Sequence, residues 1–518
     1  MRRIVSILLA LALVLGLSLM ATTPAAAAII NVPGTWPTIA LAVANSGPND
    51  VIQVMPGIYP EGQIVIPHNL TIEGIGGKPL INPIGSLTGT NAAGAWILVN
   101  PGVTFTLKDV VLDGTTFWIH QAVRNHGLTT VDSVDFLNIQ GSLSGSPYRG
   151  VAIQSYGGTV AGGAGSDSHG GGGAASTLTV IGCTFQQIGR IGVVVKGTAS
   201  TASISGCTYT GKGAIDCLDY AFEAGAGGTM TVTGSTVTAC TGVASSDGST
   251  SAGILVTDYW GPGTSATITG NSLTGNTAGI GVGYLPTDAS TVTAHFNNMG
   301  SNLPYGIDCW STAITVDGTC NWWGAADGPS TVGPGSGDQV STNVDYSAWL
   351  TEPYAPQKSV AAPGGTASFT PTQGNVEGLT AMAPPATPPV TLPYGMFNFT
   401  ICCFGGSTAT LGVTLPGPVP VGTKWYKYNG GAWDPLPIGS DDGDAFITVT
   451  LTDNNPIHDE DPTVGYIVDQ GGPGYGGTVG WETYPVNKVR VFLPWIALCA
   501  AIAAGVSLVA ARRRRAQS

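Results

Sequence analysis

A nine-residue pattern recurs through the middle of this 518-residue chain and constrains its fold more than any other feature. It reads TLTVIGCTF at residues 177–185 and TASISGCTY at residues 201–209, and it returns at residues 229–237, 265–273 and 291–299. Repeats at this spacing are typical of solenoids, in which a single unit cannot bury its apolar face alone and neighbouring units stack on one another.

Each copy is accompanied by a second short segment in which apolar residues alternate. We predict these segments as strands at residues 191–197, 213–220, 252–259, 278–284 and 305–310. The alternation sends one pair of side chains from each segment to a shared face. The pairs are Val193 and Val195, Ile215 and Cys217, Ile254 and Val256, Ile280 and Val282, and Ile307 and Cys309. Because the repeats run in one direction and are too far apart for two-residue turns, we predict parallel stacking of coil on coil, with about 1.5–3 kcal/mol for each buried Val or Ile.

One position of the pattern holds small polar or amide side chains. These residues are Ser133, Cys183, Cys207, Ser235, Asn271 and Asn297. We expect them to form a column whose members hydrogen-bond up and down the stack. For Cys183 and Cys207, the sequence leaves open a disulfide or two packed thiols, since neighbouring strands lie about 4.8 Å apart, within the range that a disulfide allows.

Both ends of the chain carry patterns that concern membranes. Arg2 and Arg3 precede an apolar run and a stretch of small residues, so residues 1–28 are predicted to be a secretory signal peptide. Residues 491–511 contain no charged residue and precede four arginines in residues 512–518, which predicts a transmembrane helix with a basic cytoplasmic tail. We therefore expect the protein at the cell surface, with its N-terminal domains outside and the membrane as one partner.

Charge and composition limit the classes of protein to consider. Residues 29–484 contain 31 acidic and 10 basic residues, a net charge of −21. A surface this acidic argues against nucleic acid as a partner and suits solubility outside the cell or cation binding. Recurrent Val, Ile and Leu beside 77 glycines indicate a loop-rich β protein rather than a disordered one.

The start and the end of the repeat region resemble a known family. Residues 35–50 are predicted to contain a short helix that caps the first coil. The segment DVIQVMPGIYPEGQIVIPHNLTIEGIGG that follows resembles the entry to right-handed parallel β-helix proteins of the pectin-lyase-like superfamily, and CNWWGAADGPS at residues 320–330 resembles their closing motif. The resemblance implies a right-handed parallel β-helix over residues 29–352 and specifies the fold more than the activity.

Residues 353–475 have a different composition. Several predicted strands separated by turn residues indicate a small β-sandwich. The segments KWYKY (424–428), VTLTD (449–453) and GYIVDQGGPG (465–474) resemble the choice-of-anchor U domain. This resemblance implies that a surface-anchoring signal follows, with residues 476–490 as a juxtamembrane linker. Whether the tail is retained or processed stays open.

Charged residues on the outward face of the second strands are candidate catalytic groups. A polysaccharide lyase needs a base and a cation beside the uronate, whereas a glycoside hydrolase needs two carboxylates. The candidates are Arg149, Lys196, Asp216 and Asp219, and we expect His120, Arg124 and His126 of an earlier coil to lie near them. The dense charged signatures of pectate lyases, polygalacturonases and pectin methylesterases are not found in the sequence. A solvated strand face with scattered charges is therefore the favoured alternative.

Aromatic residues at or just after the same row predict a different activity. Tyr220, Tyr259, Tyr284 and Trp310 are candidate carbohydrate-binding residues, because flat rings stack on the faces of sugars.

Acidic turns in the second part predict a metal site. Asp453, Asp459, Asp461 and Asp469 are candidate ligands for Ca²⁺, which prefers oxygen ligands on flexible turns. A solvated acidic loop is the alternative. We expect no organic cofactor, since the sequence has no phosphate-binding or dinucleotide-binding motif.

Together these patterns predict an all-β protein with a right-handed parallel β-helix, a small β-sandwich and one C-terminal transmembrane helix. The expected function is surface display, adhesion or binding of a polysaccharide or cell-envelope glycan. The alternative is a surface-anchored polysaccharide lyase or glycoside hydrolase that acts on a uronate-containing polymer.

Overall fold

The computed structural model describes residues 27–89, 92–141, 150–158, 174–403, 405–440 and 443–476. The predicted transmembrane helix and basic tail lie outside these residues, as does nearly all of the predicted linker and signal peptide. Within the described ranges, no helix has the length and the apolar content that a membrane crossing requires.

Thirty-two short strands and one short α-helix make up the first part of the described chain. The first elements are β1 Ile29–Val32, α1 Ile39–Ala44, β2 Asp50–Val54, β3 Ile58–Glu61, β4 Ile64–Ile66, β5 Leu70–Gly74, β6 Leu80–Pro83, a 3₁₀ turn Ala92–Gly94, β7 Ala95–Val99, β8 Thr104–Lys108, β9 Val111–Asp113, β10 Gln121–Asn125, β11 Leu128–Asp132, β12 Asp135–Leu137, β13 Val151–Tyr156, β14 Ser176–Ile181, β15 Thr184–Gln186 and β16 Ile191–Lys196. The next are β17 Ser200–Ser205, β18 Thr208–Thr210, β19 Tyr220–Gly225, β20 Thr229–Thr233, β21 Thr236–Thr238, β22 Ala252–Thr257, β23 Ser265–Thr269, β24 Ser272–Thr274, β25 Ala278–Val282, β26 Thr291–His295, β27 Asn298–Gly300, β28 Tyr305–Cys309, β29 Val316–Asp317, β30 Pro329–Thr331, β31 Gly337–Val340 and β32 Val344–Asp345.

These strands form three parallel sheets that wind around one core, as the repeat predicted. Sheet A runs β1, β2, β5, β8, β11, β14, β17, β20, β23, β26, β29, β32. Sheet B runs β3, β6, β9, β12, β15, β18, β21, β24, β27. Sheet C runs β4, β7, β10, β13, β16, β19, β22, β25, β28, β31, β30. Each coil contributes one strand to each sheet, so equivalent residues of successive coils stack directly over one another.

The core consists of columns of apolar side chains. In sheet C, Ile153 is in register with Val193, Val193 with Phe222, and Phe222 with Ile254. In sheet B, Phe136 stacks on Phe185 with ring centroids 5.1 Å apart. Such side chains are fully buried, at about 1.5–3 kcal/mol each.

Four of the five predicted inward pairs are confirmed, and the pair Ile215 and Cys217 is wrong. The strand of that coil is Tyr220–Gly225, and its inward residues are Phe222 and Ala224. Residues 213–219 form a loop instead, because the Asp219 carboxylate folds back to accept hydrogen bonds from Lys212 N and the Tyr209 hydroxyl.

The predicted polar column is confirmed in its second half. Cys207 N donates to Ser235 Oγ (3.1 Å), Ser235 N donates to Asn271 Oδ1 (2.9 Å), and Asn271 Nδ2 donates to Asn297 Oδ1 (2.9 Å). Asn321 continues the ladder beyond the predicted members. Cys183 and Cys207 are neighbouring free thiols, and no disulfide joins them.

Short caps close the two ends of the stack. The predicted helix is α1, whose N-cap residue Thr38 accepts a hydrogen bond from Leu41 N. The buried carboxylate of Glu61 accepts from Ile39 N (2.5 Å) and Ala40 N (3.2 Å). At the other end, Trp323 is fully buried among the last coils.

The second part is antiparallel. Its strands are β33 Lys358–Ala362, β34 Gly365–Pro371, β35 Asn375–Met382, β36 Met396–Cys402, β37 Thr408–Thr414, β38 Lys424–Asn429, β39 Ala432–Leu436, β40 Ile438–Gly439, β41 Phe446–Thr452 and β42 Ile467–Gly474. One sheet runs β33-β34-β37-β41-β40 and the other runs β35-β36-β42-β38-β39. Their apolar faces, including Phe369, Phe397 and Trp425, form a single separate core.

Candidate functional site

The outer face of sheet C differs from an ordinary solvated strand face. Every residue of β10, β13, β16 and β19 is buried, on the outward side as well as the inward side. Apolar residues of this outer face form a second hydrophobic cluster, separate from the core. It contains Val151, Ile191, Val194, Leu218, Tyr220, Ala244, Ala252 and Ala278.

Three charged side chains are buried on the same outer face, and we call them the buried charged cluster: Arg124, Lys196 and Glu223. Lys196 Nζ lies 3.1 Å from Glu223 Oε1, across the adjacent strands β16 and β19. Arg124, on β10, stacks over the Tyr156 ring at 5.3 Å and donates to Gln121 Oε1 at 2.9 Å. Gln154 lies between Arg124 and Val194 in the same outward row. Its side-chain amide donates a hydrogen bond to the Tyr156 hydroxyl.

The predicted catalytic residues do not all meet at this cluster. Lys196 belongs to it, and Arg149 lies outside the described residues. Asp219 forms an ion pair with Lys212 (3.0 Å) within its own loop. Asp216 is exposed and accepts hydrogen bonds from the backbone N and the hydroxyl of Ser245, which hold the pKa of its carboxyl below the usual value.

Glu223 is a residue that the sequence analysis missed, because the strand of its coil was assigned to residues 213–220. The spacing between strands could not have corrected this, because β22 and β25 each begin thirteen residues before the next sheet A strand, whereas β19 begins nine residues before β20. In the structure, β19 begins at Tyr220, in register with Ile191 of β16. That register places Glu223 in the same outward row as Arg124.

Beyond the ends of three successive sheet C strands lies what we call the aromatic surface: Tyr259, Trp260, Tyr284 and Trp310. The side chains of Tyr259, Tyr284 and Trp310 are 47%, 51% and 60% exposed. The Tyr259 ring packs edge-to-face on Tyr284 (4.7 Å) and on Trp260 (4.6 Å). The predicted residue Tyr220 is not part of this surface, because it is buried under the Arg190 guanidinium, and its hydroxyl donates to Thr250 O.

A buried carboxylate holds the turn that carries the aromatic surface. Asp288 Oδ2 accepts from Thr257 Oγ1 and from Asp258 N, both at 2.7 Å. Asp288 Oδ1 accepts from Ser290 N at 3.1 Å. Asp258 in turn accepts from Thr264 N at 2.9 Å, which closes the loop that contains Tyr259 and Trp260. Hydrogen bonds near both ends therefore hold the loop that carries Tyr259 and Trp260.

The aromatic surface and the buried charged cluster are in contact. Lys196 Nζ lies 5.0 Å from the centre of the Trp260 ring, a cation–π distance. Gly225 lies beside this contact, and a Cβ there would be in ordinary van der Waals contact with Lys196 Cε (3.4 Å) and Trp260 Cδ1 (3.6 Å). The two groups form one continuous site along the C-terminal side of sheet C.

The predicted calcium ligands make other contacts. Asp459 accepts from the backbone N of Asn454, Asp461 and Val468, and Asp453 accepts from Gly465 N. Asp469 forms an ion pair with Lys427, so a cation already occupies that position. Among the described residues, no group of three or more His, Cys, Asp or Glu side chains is arranged to hold a metal ion. This arrangement does not favour Ca²⁺, and calcium binding stays a prediction.

Comparisons with known proteins agree with the fold. A family model described as a right-handed beta helix region matches residues 166–320. Together with the parallel sheets, this match shows a right-handed parallel β-helix. No curated protein matches the chain. A solved structure of a PL6-family alginate lyase variant is similar at 14% identity with a TM-score of 0.26, over 63% of this chain and 39% of the lyase chain. A likeness at this level carries no argument about activity.

Proposed function

We propose that this protein binds polysaccharide through the aromatic surface and displays that surface outside the cell without cleaving the glycan. The observation that carries the proposal is the group of rings on three successive coils, Tyr259, Tyr284 and Trp310, each about half exposed. Contiguous exposed apolar surface of this kind often marks a binding site.

The spacing of the coils suits a polymer. Successive coils lie about 4.8 Å apart, so rings on three coils span a distance on the scale of a few sugar units. An exposed aromatic ring can stack its face on the C–H side of a sugar. A glycan that runs along the solenoid axis would contact all three coils.

The charges beside the rings favour a neutral sugar at this surface. Asp308 accepts a hydrogen bond from Trp310 Nε1 at 2.7 Å, and Asp258 precedes Tyr259 in the same turn. Both carboxylates repel a uronate. Hydroxyl groups of a neutral sugar, by contrast, can donate to them.

Binding of purified full-length protein to a panel of neutral and uronate polysaccharides tests the proposal. We expect Tyr284→Ala and Trp310→Ala each to weaken binding about fivefold or more, because each lost stacking contact is worth about 1 kcal/mol. Affinity electrophoresis and calorimetry provide the dissociation constants.

Trp118→Ala is the matched control. Trp118 is also about half exposed but lies on an early coil away from the aromatic surface, so its loss should leave binding unchanged. Equal affinity of the Tyr284 and Trp310 variants and the original protein would refute the proposed role of the surface.

A second candidate function is a uronate lyase, and the buried charged cluster is the observation that favours it. Arg124 supplies a cation for a uronate, while Lys196 and Glu223 supply a base and an acid 3.1 Å apart. The readout is the absorbance of unsaturated products from polygalacturonate and alginate. Product formed by the original protein and lost in Lys196→Met would establish the lyase and displace non-catalytic binding. Absence of product from both polymers would count against it.

The place of action is also part of the proposal. The signal peptide and the transmembrane helix predicted from the sequence would put both β parts outside the membrane. Detection of the intact protein in membrane fractions, with external protease removing residues 29–475, tests this arrangement.

A further inference from the structure

A lysine and an aspartate are buried together inside the antiparallel part. The side chains of Lys427 on β38 and Asp469 on β42 are both 0% exposed, and Lys427 Nζ lies 3.4 Å from Asp469 Oδ2. Glu460 Oε1 lies 3.3 Å from the same Nζ, and Val468 O accepts from it at 2.9 Å. Asp469 was a candidate Ca²⁺ ligand in the sequence, but the structure places the Lys427 ammonium beside it instead. The polysaccharide site does not use this group.

The surroundings of Asp469 disfavour an ordinary ion pair. Its Oδ1 accepts a hydrogen bond from Trp425 Nε1 at 3.1 Å, but its Oδ2 is buried without a hydrogen-bond partner in the described structure. The contact with Lys427 brings the two groups close without hydrogen-bond geometry. Burial raises the pKa of the Asp469 carboxyl, and the neighbouring Lys427 opposes this effect only in part. A fully desolvated ion pair of this kind costs much of what its attraction returns.

The backbone leaves room for the two side chains to meet. Lys427 pairs with Gly471 of β42. A Cβ at position 471 would lie 2.1 Å from Trp425 Nε1 and 2.7 Å from Asp469 Oδ1, so only glycine permits the observed packing.

We propose that Lys427 and Asp469 condense to an amide that covalently joins β38 to β42. A desolvated lysine amine is a nucleophile, and Glu460 is placed to relay its proton to Asp469. This transfer leaves a neutral amine and a neutral carboxylic acid. The amine nitrogen then attacks Asp469 Cγ, the C–N bond forms, and the Cγ–Oδ2 bond breaks.

Oδ2 leaves as water, taking its own proton and one proton from the amine, so the step is balanced without an oxidant or a co-reactant. Oδ1 becomes the amide carbonyl oxygen. Trp425 Nε1 already donates to this atom and stabilises the negative charge that develops on it during the attack. The product replaces two buried ions by one neutral amide.

Peptide mapping of the purified full-length protein tests the proposal. Trypsin does not cleave after an acylated lysine, so the linked protein should give one looped peptide from Trp425 to Lys488, one water lighter than the same peptide with an uncleaved Lys427. Fragmentation in the mass spectrometer locates the link. Loss of water within Asp469 alone would lower the mass without blocking cleavage at Lys427.

Three variants sharpen the test. Lys427→Arg keeps the charge but should restore cleavage at position 427 and the full mass. Glu460→Gln should reduce the linked fraction at least several-fold, because the proton relay is lost. Lys424→Arg, at an exposed position on the same strand, is the matched control and should keep the link.

Recovery of Trp425–Lys427 as a separate peptide in full yield from the original protein would overturn the proposal and leave an ordinary ion pair. Full linkage in Glu460→Gln would overturn the assignment of Glu460 as the relay.

Discussion

At the residue scale, one buried carboxylate decides the position of the exposed rings. Asp288 is almost fully buried, and both of its oxygens accept hydrogen bonds from the turns on either side. The Asp288 carboxylate accepts hydrogen bonds from Thr257 Oγ1 and Asp258 N, two buried donors that would otherwise have no partner. The sugar-binding role proposed for Tyr259 and Trp260 therefore depends on a residue that need not touch sugar.

We predict that Asp288→Ala destabilises the protein and weakens glycan binding together. Loss of these hydrogen bonds leaves several donors unsatisfied, at about 1–3 kcal/mol each, so a total of about 3 kcal/mol is expected. Urea denaturation followed by tryptophan fluorescence measures the change. Asp345→Ala, at an exposed aspartate of the same parallel part, should change the midpoint little. An Asp288→Ala midpoint equal to that of the original protein would contradict the assigned role.

At the element scale, the success of the sequence analysis followed the regularity of the repeat. Strands with clear alternation, such as β16 and β25, were predicted close to their observed bounds. The strand β19 was missed because residues 213–220 show the apolar alternation expected of a strand. In the structure this segment is a loop, in which the Asp219 carboxylate accepts a hydrogen bond from Lys212 N. Strand propensity alone could not predict this loop, because the groups that bind the Asp219 carboxylate, Tyr209 and Lys212, lie outside the segment.

The asparagine ladder provides a prediction for the same elements. Asn297 is fully buried, and its side chain donates to Ile268 O (2.8 Å) and to Asn321 Oδ1 (3.0 Å) while accepting from Asn271. We expect Asn297→Ala to lower the free energy of unfolding by about 2–4 kcal/mol, because partners in the coils above and below lose their hydrogen bonds.

Thermal and urea denaturation check the value, with Thr267→Ala as the control. Thr267 is exposed on the outside of sheet A in a neighbouring coil, so its loss should change stability by less than about 0.5 kcal/mol. A loss for Asn297→Ala no larger than that of the control would show that the ladder adds nothing.

At the scale of the whole molecule, the repeat predicted the parallel β-helix, but not which of its faces carries a site. The outward residues of sheet C come from coils far apart in sequence, and their burial depends on how those coils stack. Arg124 and Glu223 are 99 residues apart in the chain yet share one outward row. Exposed aromatics were easier to predict, since three of the four candidates follow strands whose bounds were clear.

The two β parts also contact each other through specific hydrogen bonds. Asn298 of the last complete coils accepts from Tyr354 N at 2.7 Å and donates to Tyr354 O at 3.0 Å. The buried carboxylate of Glu377 accepts from Thr351 Oγ1 at 2.6 Å. These contacts join the end of the solenoid to the antiparallel sheets, and the sequence had no pattern that indicated them.

Our proposal requires that glycan is held at the turns beyond β22, β25 and β28. Hydrogen–deuterium exchange of the full-length protein, with and without a bound polysaccharide, tests it most directly. We predict slower exchange confined to residues 258–264, 283–288 and 310–312. Protection that appears instead on sheet A, on sheet B or in the antiparallel part, or exchange that no glycan changes, would contradict the claim.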